Sequence, residues 1–207
     1  MAHHRGPLPG SGRIEGAGPK GVPAYERGPG RHGRDQGPGA SRPAALVALA
    51  LDDRDRPGHR FPDYQLDHER KRCLRSAAAA RRLESLVLES PGHVIVAGDM
   101  DADEASDSMR FWTGRHVIGD LSVCYRSAWE SARPGERLMT FTPENPNSVN
   151  PDWPFRGIDH VLIRCGDSGG PSLAVRGCRR IFDTGPARAS DHYGLMAEFG
   201  PPPEPAR

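Results

Sequence analysis

Residues 1–43 cannot build a core, and this constrains the fold more than any other feature of the 207-residue chain. The segment holds 18 of the chain's 46 glycines and prolines, and beyond Met1 its large apolar or aromatic side chains are only Leu8, Ile14, Val22 and Tyr25. Scattered apolar groups among Gly, Pro and Arg bury too little surface to offset the entropy of ordering a backbone. The segment therefore reads as a disordered leader, and its His3 and His4 as histidines without a role. The remaining 164 residues suffice for one domain of ordinary size, taken as residues 44–200 with a Pro-rich tail at 201–207.

Charge and cysteine usage narrow the function classes. With 28 basic against 27 acidic side chains the net charge is +1, which excludes a protein that coats nucleic acid through bulk positive charge. Any phosphate contact must be local. All basic residues except Lys20 and Lys71 are arginine; the excess runs through the whole chain and reads as codon bias in a GC-rich genome. No stretch of about 18 apolar residues exists, so no membrane-spanning helix is expected. The N-terminus has no apolar h-region, which points to a cytoplasmic location. Cys73, Cys124, Cys165 and Cys178 are too widely spaced for a metal knuckle and read as free buried thiols rather than a disulfide scaffold.

Residues 44–51, AALVALAL, suit a short buried strand, although their periodicity equally allows a helical fragment. Residues 67–89 read as a helix: Asp67 can cap it, AAAA favours it, and Leu74, Ala77, Ala78, Leu86 and Val87 give an approximate apolar stripe. Its Arg70, Lys71, Arg72, Arg75, Arg81 and Arg82 read as a solvated face. After the turn Ser90-Pro91-Gly92, HVIVAGD has the form of a central strand that delivers Asp99 at its C-terminal end. A short helix over 106–113, stopped by Gly114, and strands around 137–142, 157–164, 172–175 and 195–199 follow. Trp112 and Trp129 suit core packing, whereas Trp153 lies in an Asn/Pro loop suited to a substrate. His68, His93, His116 and His160 take structural or surface roles, with His160 on the opposite strand face from Asp159.

Three acidic clusters fall at strand ends or loops: Gly98-Asp99-Met100-Asp101, Gly157-Ile158-Asp159-His160 and Ser190-Asp191-His192. In this order, as GDMD followed by ADEASDSMRFWTG, then RGIDHVLI, then ASDHYGLMAEF, they resemble the endonuclease/exonuclease/phosphatase superfamily of metal-dependent phosphoesterases. The linking segments YRSAWESARPGE and TFTPENPN look similar too, and the resemblance runs from about Phe61 to Phe199. It implies an α/β fold of the α+β sandwich type, two sheets with flanking helices, of which this chain holds the second half and little of the first. It also implies Mg²⁺- or Mn²⁺-dependent hydrolysis of a phosphoester, either nucleic acid or a small phosphate ester.

By the same resemblance Asp99 would orient or deprotonate the attacking water, and His192 would contact that water or a phosphoryl oxygen. Asp159 would fix the tautomer of His192, and Asp191 would lie at or beside the metal. Phosphoester hydrolysis needs such groups: an activated water, and donors or positive charge where negative charge builds. Asp101, counted with the catalytic set, departs from the family's Asn; an ionised carboxylate cannot donate a hydrogen bond and repels phosphate unless neutralised. The family's early Asn and its metal-binding Glu are not found, since the first Asn is Asn145 and the only acids before Asp52 are Glu15, Glu26 and Asp35. His59 reads as a loop histidine rather than the family's strand histidine. This onset near Phe61 implies a truncated or frame-disrupted gene, with a disordered regulatory tail as the alternative. The competing function class is an inactive remnant that at most binds a partner through an exposed sheet face.

Overall fold

A computed structural model describes residues 65–149, 152–167, 169–184 and 189–202, all within the unit spanning residues 41–207. The expectations for residues 1–43, for the run at 44–51, for His59 and for the onset at Phe61 lie outside the described residues, as does the tail from residue 203.

A 3-10 turn, Leu66–His68, leads into helix α1, Glu69–Glu89. Asp67 lies in that turn and His68 takes the N-cap position, so the expected Asp67 cap does not form. The inward face of α1 is only partly the expected one: Ala77 is buried with Arg72, Ser76, Ala80 and Leu83, and Val87 packs against the core, whereas Leu74 and Ala78 are exposed. Arg72 is withdrawn from the solvated basic face because its guanidinium has partners inside, with Nε 2.8 Å from Glu69 Oε2 and Nη1 donating to the Gln65 carbonyl at 2.7 Å. Four successive alanines give little hydrophobic contrast between faces, so polar partners decide which face is covered.

Strand β1, Ile95–Asp99, pairs antiparallel with β3, Asp159–Arg164, which pairs on its other side with β2, Tyr125–Ser127. The sheet order is β1-β3-β2, so among the described residues β3, not β1, is central. Val94 and Val96 of the apolar run are buried in the core shared with the helices, although β1 is not the central strand. Helix α2, Asp107–Trp112, starts after Ser106 and ends before Gly114, whose φ of +77° closes the turn. The segment read only as a link holds β2 and helix α3, Ala128–Ala132, capped by Ser127 Oγ, which accepts the Glu130 N–H at 3.2 Å.

The second sheet is the antiparallel pair β4, Ala174–Ile181, and β5, Gly194–Gly200, with a register shift between Val175 and Gly177. β4 runs six residues past the expected end at 175: Arg176, at the register shift, and Arg179 and Arg180 interrupt the apolar alternation, but the pairing with β5 resumes at Gly177. Residues 137–142 form no strand; Phe141 makes isolated bridges to Arg156 and His192.

Two cores separate these layers. Ala80, Leu83, Met109, Phe111 and Trp112 pack against Val96, Tyr125 and Leu162 between the helices and the three-stranded sheet. Trp129, Leu138 and Cys178, with Val161, Leu195 and Phe199, fill the space between the two sheets. The described part is thus an α/β sandwich, sheet facing sheet with a helical layer outside. Glu84 ties the layers together: it lies 2.6 Å from Arg164 Nη2 and accepts the Tyr125 hydroxyl at 3.1 Å. Among the described residues no helix is long and apolar enough to cross a membrane.

Candidate active site

The register of β1 and β3 ends on the pair Asp99↔Asp159, so two carboxylates leave neighbouring strands at one end of the sheet. Thr140 fixes the entry to β3, its Oγ1 accepting the N–H groups of Ile158 at 3.0 Å and Asp159 at 3.2 Å. The loop before β5 brings the third group. Ser190 Oγ accepts the His192 N–H at 3.1 Å, and the Ser190 carbonyl accepts Nδ2 of Asn145 at 3.1 Å and of Asn147 at 3.0 Å. The Tyr193 N–H donates to the Thr140 carbonyl at 2.8 Å, which aligns the loop with the segment before β3.

This scaffolding puts His192 Nδ1 3.0 Å from Asp159 Oδ2. One potential ligand atom from each of Asp99, Asp159 and His192 lies within 4.8 Å of the others. Asp101 follows in the loop after β1 with φ +51°, and its N–H donates to Asp99 Oδ1 at 2.8 Å. Asp191 is half-buried beside His192 but is not in the three-residue cluster. The sequence-selected residues are thus brought to one region, three of them within ligating distance of one another. His160 points away from Asp159 into the interior, where Nε2 lies 2.8 Å from the Ala102 carbonyl and steadies the loop that carries Asp101.

Charge shapes the protonation of this cluster. Desolvation and then the carboxylates of Asp101 and Asp159 push Asp99 up to about 6. His192 is raised to about 9 by its hydrogen bond to Asp159, and by the charges of Asp159, Asp99 and Asp191, against the effect of burial. The imidazolium is therefore the favoured form at neutral pH. Buried Arg156 is pulled down by desolvation and by Arg72, while Asp103, Asp101 and Asp99 oppose that shift.

Phe141 forms the aromatic border, its ring centre 5.2 Å from that of His192, 5.2 Å from Trp153 and 5.3 Å from Phe155. Trp153 thus reaches the edge of the site through Phe141. Sequence reasoning missed Thr140, Asn145 and Asn147 as supports. The only available signal was that Asn145 and Asn147 are the first two asparagines of the chain, in the TPENPN run.

The sequence model of the Endonuclease/Exonuclease/phosphatase family matches residues 7–192. The chain belongs to this family. The match starts well before Phe61, where the motif resemblance was read to begin. Similar solved structures include truncated Caenorhabditis elegans TDP2, 17% identical over 66% of this chain and 51% of that one, with a TM-score of 0.49. The endonuclease/exonuclease/phosphatase from Bacteroides vulgatus is 19% identical over 65% of this chain and 45% of that one, with a TM-score of 0.44. The mannosyl-6-phosphatase of Bacteroides thetaiotaomicron is 16% identical over 65% of this chain and 46% of that one, with a TM-score of 0.43. The aligned part spans about half the length of these proteins or less. No curated protein matches the sequence.

Proposed function

We propose that this chain hydrolyses phosphate esters, nucleic acid or small phosphate esters, with a divalent metal ion, Mg²⁺ or Mn²⁺. The observation that carries the reading is the convergence of Asp99, Asp159 and His192 within 4.8 Å. The donor set fits a hard cation, because carboxylate oxygens are its preferred ligands and a cation offsets both the desolvation and the neighbouring Asp101 and Asp159 charges that raise Asp99. Asp99 would hold the ion, with Asp191 at its edge. Such an ion, when bound, lowers the pKa of water and draws charge from phosphoryl oxygens.

The protein's own groups supply the rest. Asp159 accepts the Nδ1–H of His192, which orients the ring and leaves Nε2 to exchange a proton with the water or a phosphoryl oxygen. Asp99 orients the water and, in its ionised form, takes its proton. We keep residues 44–200 as the domain and place the protein in the cytoplasm.

A panel of phosphomonoesters and phosphodiesters, assayed with and without Mg²⁺ or Mn²⁺, tests the reading. Metal-dependent turnover is expected, and His192→Ala should lower it by about 10²- to 10⁴-fold with an unchanged circular dichroism spectrum. No hydrolysis of any ester in the presence of metal would end the enzyme reading. The second reading, an inactive remnant that at most binds a partner, is favoured by Asp101, a negative charge beside Asp99 where the family has an amide. Asp101→Asn should increase turnover in an active enzyme, whereas an inactive remnant should neither turn over nor bind Mg²⁺ on titration.

A further inference from the structure

Cys124 and Cys165 stand opposite one another just beyond Tyr125↔Arg164, the last registered pair of β2 and β3. The Cys165 N–H donates to the Cys124 carbonyl at 2.9 Å, and the two sulfur atoms are 3.1 Å apart. Both are free thiols. Directly opposed residues of antiparallel strands have Cα separations within the range a disulfide spans, so closure needs side-chain rotation and little backbone movement. We propose that this pair is a site of reversible oxidation by hydroperoxides, closing to a Cys124–Cys165 disulfide that joins β2 to β3. The inference is independent of the hydrolytic reading, since it concerns the end of β3 away from Asp159.

The two sulfurs differ in a way that sets the order of events. Cys124 is half-buried, whereas Cys165 is only 6% exposed. Burial and then the neighbouring Cys124 sulfur push Cys165 up to about 12, with Arg126 opposing them. Cys124 is therefore the first nucleophile: its thiolate attacks one oxygen of hydrogen peroxide, the O–O bond breaks, and Cys124 sulfenic acid and the first water form. The Cys165 sulfur then displaces the sulfenic hydroxyl, the S–S bond forms as the S–O bond breaks, and the hydroxyl leaves as the second water. Two thiols have lost two electrons and two protons, and one peroxide has become two waters. The high thiol pKa of Cys165 makes the second step the slower one, and because that step consumes no oxidant it continues after the peroxide is spent.

The other cysteines are internal controls. Cys73 Sγ lies 3.7 Å from Glu69 Oε1, and Cys178 is buried between the sheets. The full chain, fully reduced, is treated with hydrogen peroxide, alkylated with iodoacetamide and digested with trypsin without reductant. Peptides 116–126 and 165–176 should appear linked, with the intact chain lighter by about 2 Da and the link lost on adding dithiothreitol. Closing this long loop should raise Tm by roughly 5–10 °C. Cys124→Ser and Cys165→Ser should each abolish the linked peptide, and the map of the unaltered chain stands on its own if either variant does not fold. Alkylation of both thiols after treatment, a link through Cys73 or Cys178 instead, or sulfinic acid at Cys124 without any link would overturn the proposal.

Discussion

His192 couples the protonation of the site to folding. Its pKa is raised to about 9, above the ordinary 6.5, chiefly by the hydrogen bond to Asp159. A raised folded-state pKa for a base means that its contribution to stability is complete below about 6.5 and is lost as pH rises through 9. Asp99 acts with the same sign in a more acidic window: its carboxyl, raised to about 6 from 3.8, costs stability as it ionises. Urea titrations of the metal-free protein should show stability falling between pH 6.5 and 9, and His192→Gln should flatten that interval. At this scale Asp99, Asp159 and His192 were legible because each sits in a short, ordered motif beside an apolar run. Thr140, Asn145 and Asn147 were not, since each acts through one hydrogen bond donor or acceptor on backbone distant in sequence, and no local pattern marks such a role.

Among the elements, the entry to β3 depends on a single hydroxyl. Thr140 is fully buried and its Oγ1 satisfies two backbone N–H groups, so Thr140→Val leaves both without that acceptor. A loss of about 1–3 kcal/mol is expected by denaturant unfolding, with Thr140→Ser close to the parent protein. Elements with a strong apolar signal, α1, β1, β3 and β5, were readable from sequence to within a few residues. β2 and α3 are three and five residues long, too short for a period to emerge. Residues 137–142 have strand-like composition, but Thr140 and Phe141 direct their hydrogen bonds to scattered partners instead of one continuous ladder. On the inward face of α1, Ala77 and Val87 lie against the core as expected, whereas Leu74 and Ala78 are exposed and Arg72, with its own polar partners, is buried.

For the molecule as a whole, the helical layer is fastened to the sheet by the Glu84, Arg164 and Tyr125 cluster, in which both charged side chains are about three-quarters covered. Glu84→Ala removes the shared acceptor and is expected to cost about 2–4 kcal/mol, measured by denaturant unfolding. The sandwich itself followed from the order of the motifs, whereas the placing of β3 at the sheet centre did not, because apolar runs do not say which strands are neighbours. That central strand ends on an awkward pair. Asp99 and Asp159 face each other at the last rung of the ladder, and like charges directly opposed weaken a rung. This end of the sheet should therefore breathe in the metal-free protein, with the Met100 amide, bonded to the Ile158 carbonyl at 2.8 Å, exchanging faster than amides in mid-strand. A divalent cation would act as a clasp on the fraying edge, slowing hydrogen exchange at Met100 and Asp159, so that occupancy of the site could be read from the sheet's own opening without any substrate.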